Sequence, residues 1–261
     1  MENEDRFKKL KQTLLERAER KHACKQGYNA GKKARTWKAL MKVVRDNFSW
    51  LCRSEVLTWD ILSMYEDEFK KYGIYFNENY KDCGLESVND ACLYINSGKA
   101  CVFGNSFVYA RLNCHVNAYG DTFVEAYDDA GVSLFNNCKC VALGKSSVYA
   151  DNNAIVTASE SSTVHSYGNS YVKAFSNSSV MAKGYSTVKA SMHAKVFASE
   201  CSTVHACGTS SVELCEQSRA FLCDNSTLNS SEEDTIAYVN SKYARVVEDD
   251  CKGIVIPFPY K

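Results

Sequence analysis

The sequence predicts an α+β protein in which an N-terminal helical domain is followed by a parallel β-solenoid with a C-terminal cap. An eight-residue unit keeps its phase over 17 copies from 99 to 234 without an insertion. Position two of this unit is Val in 13 copies, position four is Ala in 11, and position eight is Ser, Thr, Cys or Ala in 16. A basic N-terminal segment with helical spacing of its apolar residues predicts the helical domain. Repeats of this kind are typical of solenoids.

Each octad is predicted to be one short strand and one corner. The side chains at positions two and four of an extended segment point to the same side of a strand. Positions six and seven are rich in Gly, Asn and Asp, as in Gly168-Asn169, and these residues favour turns. A single octad cannot bury its Val and Ala, whereas stacked coils bury them together.

The large residues at position one predict how many octads form one coil. Phe107, Phe123, Ile155 and Tyr171 all fall in alternate octads, whereas a period of 24 mixes large and small residues. We therefore expect two octads per coil and a thin solenoid of about eight coils, roughly 40 Å long. A three-sided solenoid is the alternative, and the handedness stays open.

The basic helical domain is assigned to residues 1–80, and residues 81–98 are expected to form a linker and the first coil. Apolar residues at three- and four-residue spacing predict helices over about 4–25, 34–47 and 59–72. Gly27 and Gly31 are expected to bracket a break, and Gly73 to stop the third helix. The helical domain is expected to plug one end of the solenoid, whose octads span 99–234.

Residues 235–261 are predicted to cap the other end. This segment departs from the octad and holds both prolines of the chain, Pro257 and Pro259. An open strand edge pairs readily with another chain, and proline cannot donate a hydrogen bond to such an edge.

The charge of the chain is zero overall, but it is unevenly distributed. Arg6 to Arg45 holds 14 basic residues and two acidic ones. Such a segment attracts phosphate or an acidic protein face, although a solvated helix face is the alternative. The candidate binding residues are Lys8, Lys9, Lys11, Arg17, Arg20, Lys21, Lys25, Lys32, Lys33, Arg35, Lys38, Lys42 and Arg45.

A second candidate surface is an apolar stripe on the outside of the solenoid. It consists of Phe107, Tyr109, Phe123, Ile155 and Tyr171. Exposed apolar stripes often mark protein contacts. The alternative is aromatic stacking that stiffens the coils.

No pattern in the sequence predicts catalysis, a cofactor or a metal site. A Gly-rich phosphate loop and a nucleophile elbow are both missing. The 13 cysteines lack the close pairs of structural zinc sites, and we expect free thiols in a reducing compartment. Cys207 and Cys223, 16 residues apart, are expected to stack on one face. No apolar run is long enough to span a membrane, so a cytoplasmic protein is expected.

The segments Tyr167-Gly168-Asn169-Ser170-Tyr171-Val172-Lys173-Ala174 and Tyr185-Ser186-Thr187-Val188-Lys189-Ala190 resemble the "AYGNSTVKA" octapeptide arrays of phage and mobile-element proteins of gut bacteria. The likeness covers about 72–230 and is specific for architecture. It implies an accessory protein in the cytoplasm of a bacterial host, where binding a host protein or nucleoprotein, such as a CRISPR effector, is a common role. A virion or scaffold component, or a homodimer, is the alternative.

Overall fold

The computed structural model describes residues 2–76, 88–247 and 251–257. Within them the chain forms an N-terminal helical domain followed by a parallel β-solenoid, as the sequence predicts. Residues 77–80 of the expected helical domain, 81–87 of the expected linker, and 248–250 and 258–261 of the expected cap lie outside the described residues. The described helices are α1 (Glu2–Arg20), α2 (Lys25–Lys33), α3 (Trp37–Asp46), α4 (Phe48–Arg53), α5 (Trp59–Met64) and α6 (Glu66–Lys70).

Successive strands of the solenoid alternate between two sheets. Sheet A contains β1 (Ile74–Phe76), β3 (Cys92–Ile95), β5 (Phe107–Ala110), β7 (Phe123–Ala126), β9 (Lys139–Ala142), β11 (Ile155–Ala158), β13 (Tyr171–Ala174), β15 (Thr187–Ala190), β17 (Thr203–Ala206), β19 (Arg219–Leu222), β21 (Ile236–Val239) and β23 (Ile254–Ile256). Sheet B contains β2 (Val88–Asn89), β4 (Lys99–Phe103), β6 (His115–Ala118), β8 (Gly131–Leu134), β10 (Ser147–Ala150), β12 (Thr163–Ser166), β14 (Ser179–Ala182), β16 (Lys195–Ala198), β18 (Ser211–Leu214), β20 (Thr227–Ser231) and β22 (Arg245–Val246).

The coil of two octads is confirmed by the strand register. In sheet A, Val156 pairs with Val172 in parallel and Ala158 pairs with Ala174, each 16 residues further along the chain. The same spacing holds in sheet B, where β10 pairs with β12. Equivalent octad positions therefore form columns along the solenoid, and the three-sided alternative is excluded.

The space between the two sheets is filled by positions two and four. Val164, Val172 and Ala174 are completely buried, and position eight is buried beside them, as at Ser170. Complete burial of a Val side chain contributes about 1.5–3 kcal/mol, and the repeat supplies one in most octads. Positions one and three of each strand face outward.

Sixteen of the 17 predicted octads turn their corner through a left-handed residue at position six. This residue has a positive φ in all 16 octads from Gly104 to Asp224. Glycine holds this position at Gly168 and Gly184, but Met192 and Glu200 also adopt it, with φ of 58° each. For a residue with a Cβ atom, this conformation costs about 1–2 kcal/mol.

The two sheets extend beyond the predicted repeat at both ends. Strand β1 already pairs with β3, and β21, β22 and β23 follow the last predicted octad. The expectation of 17 octads without an insertion is wrong in the last copy, because the register shifts opposite Val212 and Glu213 and β21 starts one residue late. The repeat sequence therefore ends before the solenoid does.

The C-terminal segment adds strands where a proline-blocked cap was expected. Strand β23 pairs with β21 and forms the outer edge of sheet A within the described residues. Ile254 and Ile256 in this strand are 60% and 41% exposed, and Pro257 follows the strand instead of lying within it. Strand β23 itself contains no proline among the residues that the structure describes.

The helical domain packs on the outer face of sheet A, whereas the sequence led us to expect it at the end of the solenoid. Phe76, Cys92 and Tyr109 point away from the solenoid core and join the core of the helical domain. Phe48 of α4 meets Phe107 at a ring separation of 5.8 Å. The first strands of sheet A are thus buried on both faces, which explains their apolar outward positions.

The predicted break at Gly27 and Gly31 is wrong, because both residues lie inside α2. A Cβ atom on Gly27 would lie 3.2 Å from Asn47 Oδ1, and one on Gly31 would lie 3.1 Å from Leu15 Cδ2. The two glycines let α2 approach its neighbours closely. The helix predicted over 59–72 is divided at Tyr65 into α5 and α6.

The cost of a left-handed corner can be measured at Met192, which is 56% exposed. We expect Met192→Gly to raise the free energy of unfolding by about 0.5–1 kcal/mol, because strain is removed while the freedom of glycine in the unfolded chain offsets part of the gain. Urea unfolding followed by circular dichroism measures this change. The control Met192→Ala keeps the Cβ atom and its strain. A glycine variant no more stable than the alanine variant contradicts the prediction.

Candidate interaction surfaces

Several cations of the predicted binding segment hold the helical domain together. Lys11 Nζ donates hydrogen bonds to the backbone carbonyls of Lys32 and Ala34, both at 2.7 Å. These carbonyls lie at the C-terminal end of α2, where backbone acceptors have no partner within the helix. Lys11 therefore caps α2, and its charge is engaged.

Arg17 and Lys21 tie α1 to the connection between α4 and α5. Arg17 donates to Thr58 Oγ1 at 2.7 Å and pairs with Asp60 at 3.0 Å, while Lys21 pairs with Glu55 at 3.2 Å. The hydrogen bond from Thr58, followed by those from Arg17, lowers the pKa of Asp60 below its ordinary value. These two cations are engaged by residues that are distant from them in the sequence.

Arg45 and Arg20 bind backbone carbonyls. Arg45 donates to the carbonyl of Tyr72 at 2.9 Å and to that of Asp90 at 2.7 Å, and so links α3 to the start of the solenoid. Arg20 donates to the carbonyl of Glu16 at 3.3 Å. The guanidinium group of Arg45 is thus a structural link between the helical domain and sheet A.

Two further cations form exposed ion pairs within single helices. Lys8 pairs with Glu4 at 2.7 Å, and Lys42 pairs with Asp46 at 2.8 Å. Exposed pairs of this kind contribute little to stability, because water screens the two charges. An anionic ligand can compete for these two lysines, but the acidic partners reduce the local positive charge.

Most of the remaining cations lie at the connection between α2 and α3. The exposed residues Lys9, Lys25, Lys33, Arg35 and Lys38 have no ion pair with any residue in the described ranges. Lys32 is exposed as well, with its Nζ 4.9 Å from the ring centre of Tyr28. We call Lys32, Lys33, Arg35 and Lys38 the α2–α3 cation cluster. It is the densest group of unneutralised charge in the predicted segment.

The predicted aromatic stripe is not one continuous exposed surface. Tyr109 is 4% exposed, and Phe107 packs against both Phe48 of the helical domain and Phe123, the latter at 5.3 Å. The prediction of exposure is wrong for Tyr109 because the helical domain covers this part of sheet A. Phe107 and Tyr109 belong to the interface between the helical domain and the solenoid.

The other two stripe residues lie beyond the helical domain. Ile155 is 40% exposed, and Tyr171 is partly exposed with Lys189 Nζ 5.9 Å from its ring centre. This part of sheet A therefore carries charge beside its apolar residues.

Sequence reasoning missed a second aromatic column, which lies at position five of the octad. Phe103 stacks on Tyr119 at 4.8 Å and Tyr119 on Phe135 at 4.9 Å. At the next octad Asp151 interrupts the column, and Tyr149 at position three bridges Phe135 to Tyr167 at position five, with ring centres 6.2 and 4.9 Å apart. The aromatic residues at position five of alternate octads, 16 residues apart, are the sequence pattern that predicts this column.

Nothing in the described ranges forms a group of three or more His, Cys, Asp or Glu side chains that could hold a metal ion. Of the cysteines that the structure describes, eleven carry free thiols, and Cys101 is disulfide-bonded, contrary to the expectation for that residue. The predicted stacking of Cys207 and Cys223 is confirmed by the strand register, because the residues directly before them, Ala206 and Leu222, pair in sheet A. Burial raises the pKa of the Cys92 and Cys114 thiols to about 11.

No helix in the described part of the chain is long and apolar enough to cross a membrane. Comparison of the chain with protein-family models, curated proteins and solved structures finds no match.

Loss of one positive charge is expected to affect stability differently at a cation with a structural contact and at a cation without an ion pair. Arg17→Gln is expected to lower the free energy of unfolding by about 1 kcal/mol, because it removes a hydrogen bond and an ion pair. Lys33→Gln, which removes the same charge, is expected to stay within about 0.5 kcal/mol of the parent. Urea unfolding followed at the helical circular dichroism band tests both. Equal losses for the two variants would contradict the assignment.

Proposed function

We propose that this protein is a non-catalytic interaction protein whose helical domain binds nucleic acid or a nucleoprotein. The observation that carries the proposal is the α2–α3 cation cluster, which has four exposed cations within seven residues and no ion pair to a described acidic group. Unpaired cations release the counterions of a phosphate backbone when they bind it, and this release drives association. The solenoid then serves as a rigid docking surface attached to the helical domain.

The biological setting follows from the resemblance of the octads to the arrays of phage and mobile-element proteins. An accessory protein of such an element acts in the cytoplasm of its bacterial host. A basic domain on a rigid rod is suited to occupy a nucleic-acid channel of a host defence complex, such as a CRISPR effector, and to inhibit it. This step is an analogy at the level of the fold.

The proposal predicts a salt-dependent affinity that depends on the cation cluster. We expect the triple variant Lys33→Glu, Arg35→Glu, Lys38→Glu to lose most binding to a labelled duplex of about 20 base pairs at roughly 50 mM salt. The slope of log K against log salt is expected to fall by about 2.7, since each phosphate contact contributes about 0.9. Fluorescence anisotropy over several salt concentrations measures both quantities.

The matched control is the triple variant Lys99→Glu, Lys145→Glu, Lys195→Glu. It changes the net charge equally, and these three exposed lysines lie on sheet B and on a corner. If both triple variants lose the same affinity, only the net charge matters and the cluster is not a site. If the parent protein does not bind the duplex at low salt, direct binding of duplex by the helical domain is excluded.

A second candidate function is assembly through the end of the solenoid, and the open edge of β23 favours it. Ile254 and Ile256 on this strand are exposed, and the edge pairs with no other described strand. Such edges promote pairing with another chain.

Assembly predicts that the mass measured by light scattering rises with protein concentration in the absence of nucleic acid. Ile254→Lys is expected to abolish this rise, because a charge on the edge opposes strand pairing. The matched control Ile155→Lys changes an isoleucine that is 40% exposed and lies away from the edge. A constant monomer mass at all concentrations excludes assembly.

A further inference from the structure

Charge on the solenoid is segregated between its corners and its faces. In the described residues from 99 to 247, the acidic side chains on strands are Glu125 and Glu213. Glu125 is 8% exposed beneath the helical domain, and Glu213 lies on sheet B. The remaining acidic residues lie at corners: Asp121, Asp128, Asp129, Asp151, Glu160, Glu200, Glu216, Asp224, Glu232, Glu233 and Asp234.

Several corner carboxylates are engaged by the backbone of the preceding coil. The N–H of Gly144 donates to Glu160 at 2.7 Å, and that of Gly184 donates to Glu200 at 2.9 Å. The N–H of Glu200 in turn donates to Glu216 at 2.7 Å. These bonds hold the carboxylates at the corners, away from the faces, and disperse part of their charge.

The uncovered part of sheet A is consequently basic. We call the outward positions one and three of β9, β11, β13, β15, β17, β19 and β21 the cationic face. They include Lys139, Lys173, Lys189 and Arg219, all exposed, and no acidic residue. Seven strands at a spacing of about 4.8 Å make this face about 29 Å long.

Two of these cations are placed directly opposite each other. Lys173 in β13 pairs in register with Lys189 in β15. Like charges at opposed positions of neighbouring strands destabilise a sheet. No ion pair with a residue of the described ranges relieves the repulsion. A bound anion would relieve it.

Aromatic side chains continue the position-three column beyond Lys189. His205, Phe221 and Tyr238 form a ladder with ring separations of 4.8 and 4.9 Å and nearly parallel planes. Partial burial, and then the charge of Lys189, lowers the pKa of His205, which favours the neutral form of its ring. The face therefore places a group of aromatic rings next to its cations.

We propose that the cationic face binds single-stranded nucleic acid. Unpaired bases can contact the outward edges of the aromatic ladder, whose ring faces are stacked on one another, while the phosphates contact Lys173, Lys189 and Arg219. Cations beside aromatic side chains are typical of sites for single strands. A duplex is a poorer fit, because its major groove admits a helix or a narrow ribbon and not a broad flat sheet. An acidic protein face satisfies the cations but makes no specific use of the rings.

The triple variant Lys173→Gln, Lys189→Gln, Arg219→Gln tests the electrostatic part of the site. We expect affinity for a labelled oligo-dT of about 20 nucleotides to fall on the order of 10²-fold at roughly 50 mM salt. The slope of log K against log salt is expected to fall by about 2, at roughly 0.7 for each contact with a single strand. The matched control is Lys99→Gln, Lys145→Gln, Lys195→Gln. Equal binding of oligo-dT by the sheet A variant and the parent overturns the proposal.

Phe221→Ala tests the contribution of the rings. We expect a loss of about 5- to 10-fold in affinity for oligo-dT and no change for an abasic oligonucleotide of the same length, which keeps the phosphates. An equal loss on both oligonucleotides overturns the role of the bases. Tighter binding of poly-aspartate than of oligo-dT overturns the proposal in favour of an acidic protein.

The cationic face does not depend on the α2–α3 cation cluster, and the two are tested separately. The variant Lys33→Glu, Arg35→Glu, Lys38→Glu is expected to retain measurable binding of oligo-dT through sheet A. If this variant loses all binding of oligo-dT and the sheet A variant keeps full binding, the helical domain is the site that binds single strands. That result overturns the proposal. If the parent protein binds oligo-dT but not the duplex, and the helical-domain variant still binds oligo-dT, the proposal for the cationic face is supported. The proposal of duplex binding by the helical domain then fails.

Discussion

The left-handed residue at position six is the constraint on which the solenoid depends. The chain must reverse direction every eight residues, and this residue makes the reversal within a corner too tight for a right-handed turn alone. Because the corners between Lys99 and Thr227 have the same length, the strands of this stretch stack in register and equivalent residues form columns. The surface chemistry of the protein is therefore organised in columns, including the cations of sheet A and the aromatic residues of position five.

The solenoid was predictable from sequence because its core tolerates few residue types. Positions such as Val172 and Ala174 are completely buried between sheets, and every coil repeats the same requirement. The helical domain obeys no such repetition. Gly27 and Gly31 suggested a break from their intrinsic preferences, but contacts with Asn47 and Leu15 decide that the helix continues. Tertiary packing of this kind leaves no local trace in the sequence.

The sequence shows which residue types could form the candidate sites, but it does not show which of these residues have free charges or exposed side chains. Lys11 and Lys33 are equivalent in a composition count, yet Lys11 is engaged by a carbonyl 23 residues away and Lys33 is exposed without a described acidic partner. Arg17 likewise depends on Asp60, 43 residues away. For Tyr109, the octad phase predicted the outward direction correctly, but the helical domain determines that this outward side is buried.

The alternation of octads between two sheets restricts how the length of this chain can change during evolution. Gain or loss of 16 residues adds or removes a whole coil and leaves every later residue on its original sheet. Gain or loss of eight residues would preserve the octad and its buried Val. Every residue that follows the change in the sequence would, however, move from one sheet to the other. Lys173, Lys189 and Arg219 would then move together to the opposite side of the rod, away from the helical domain. Duplication of a single octad is thus compatible with folding, but it separates residues that had formed one surface onto two opposite sheets.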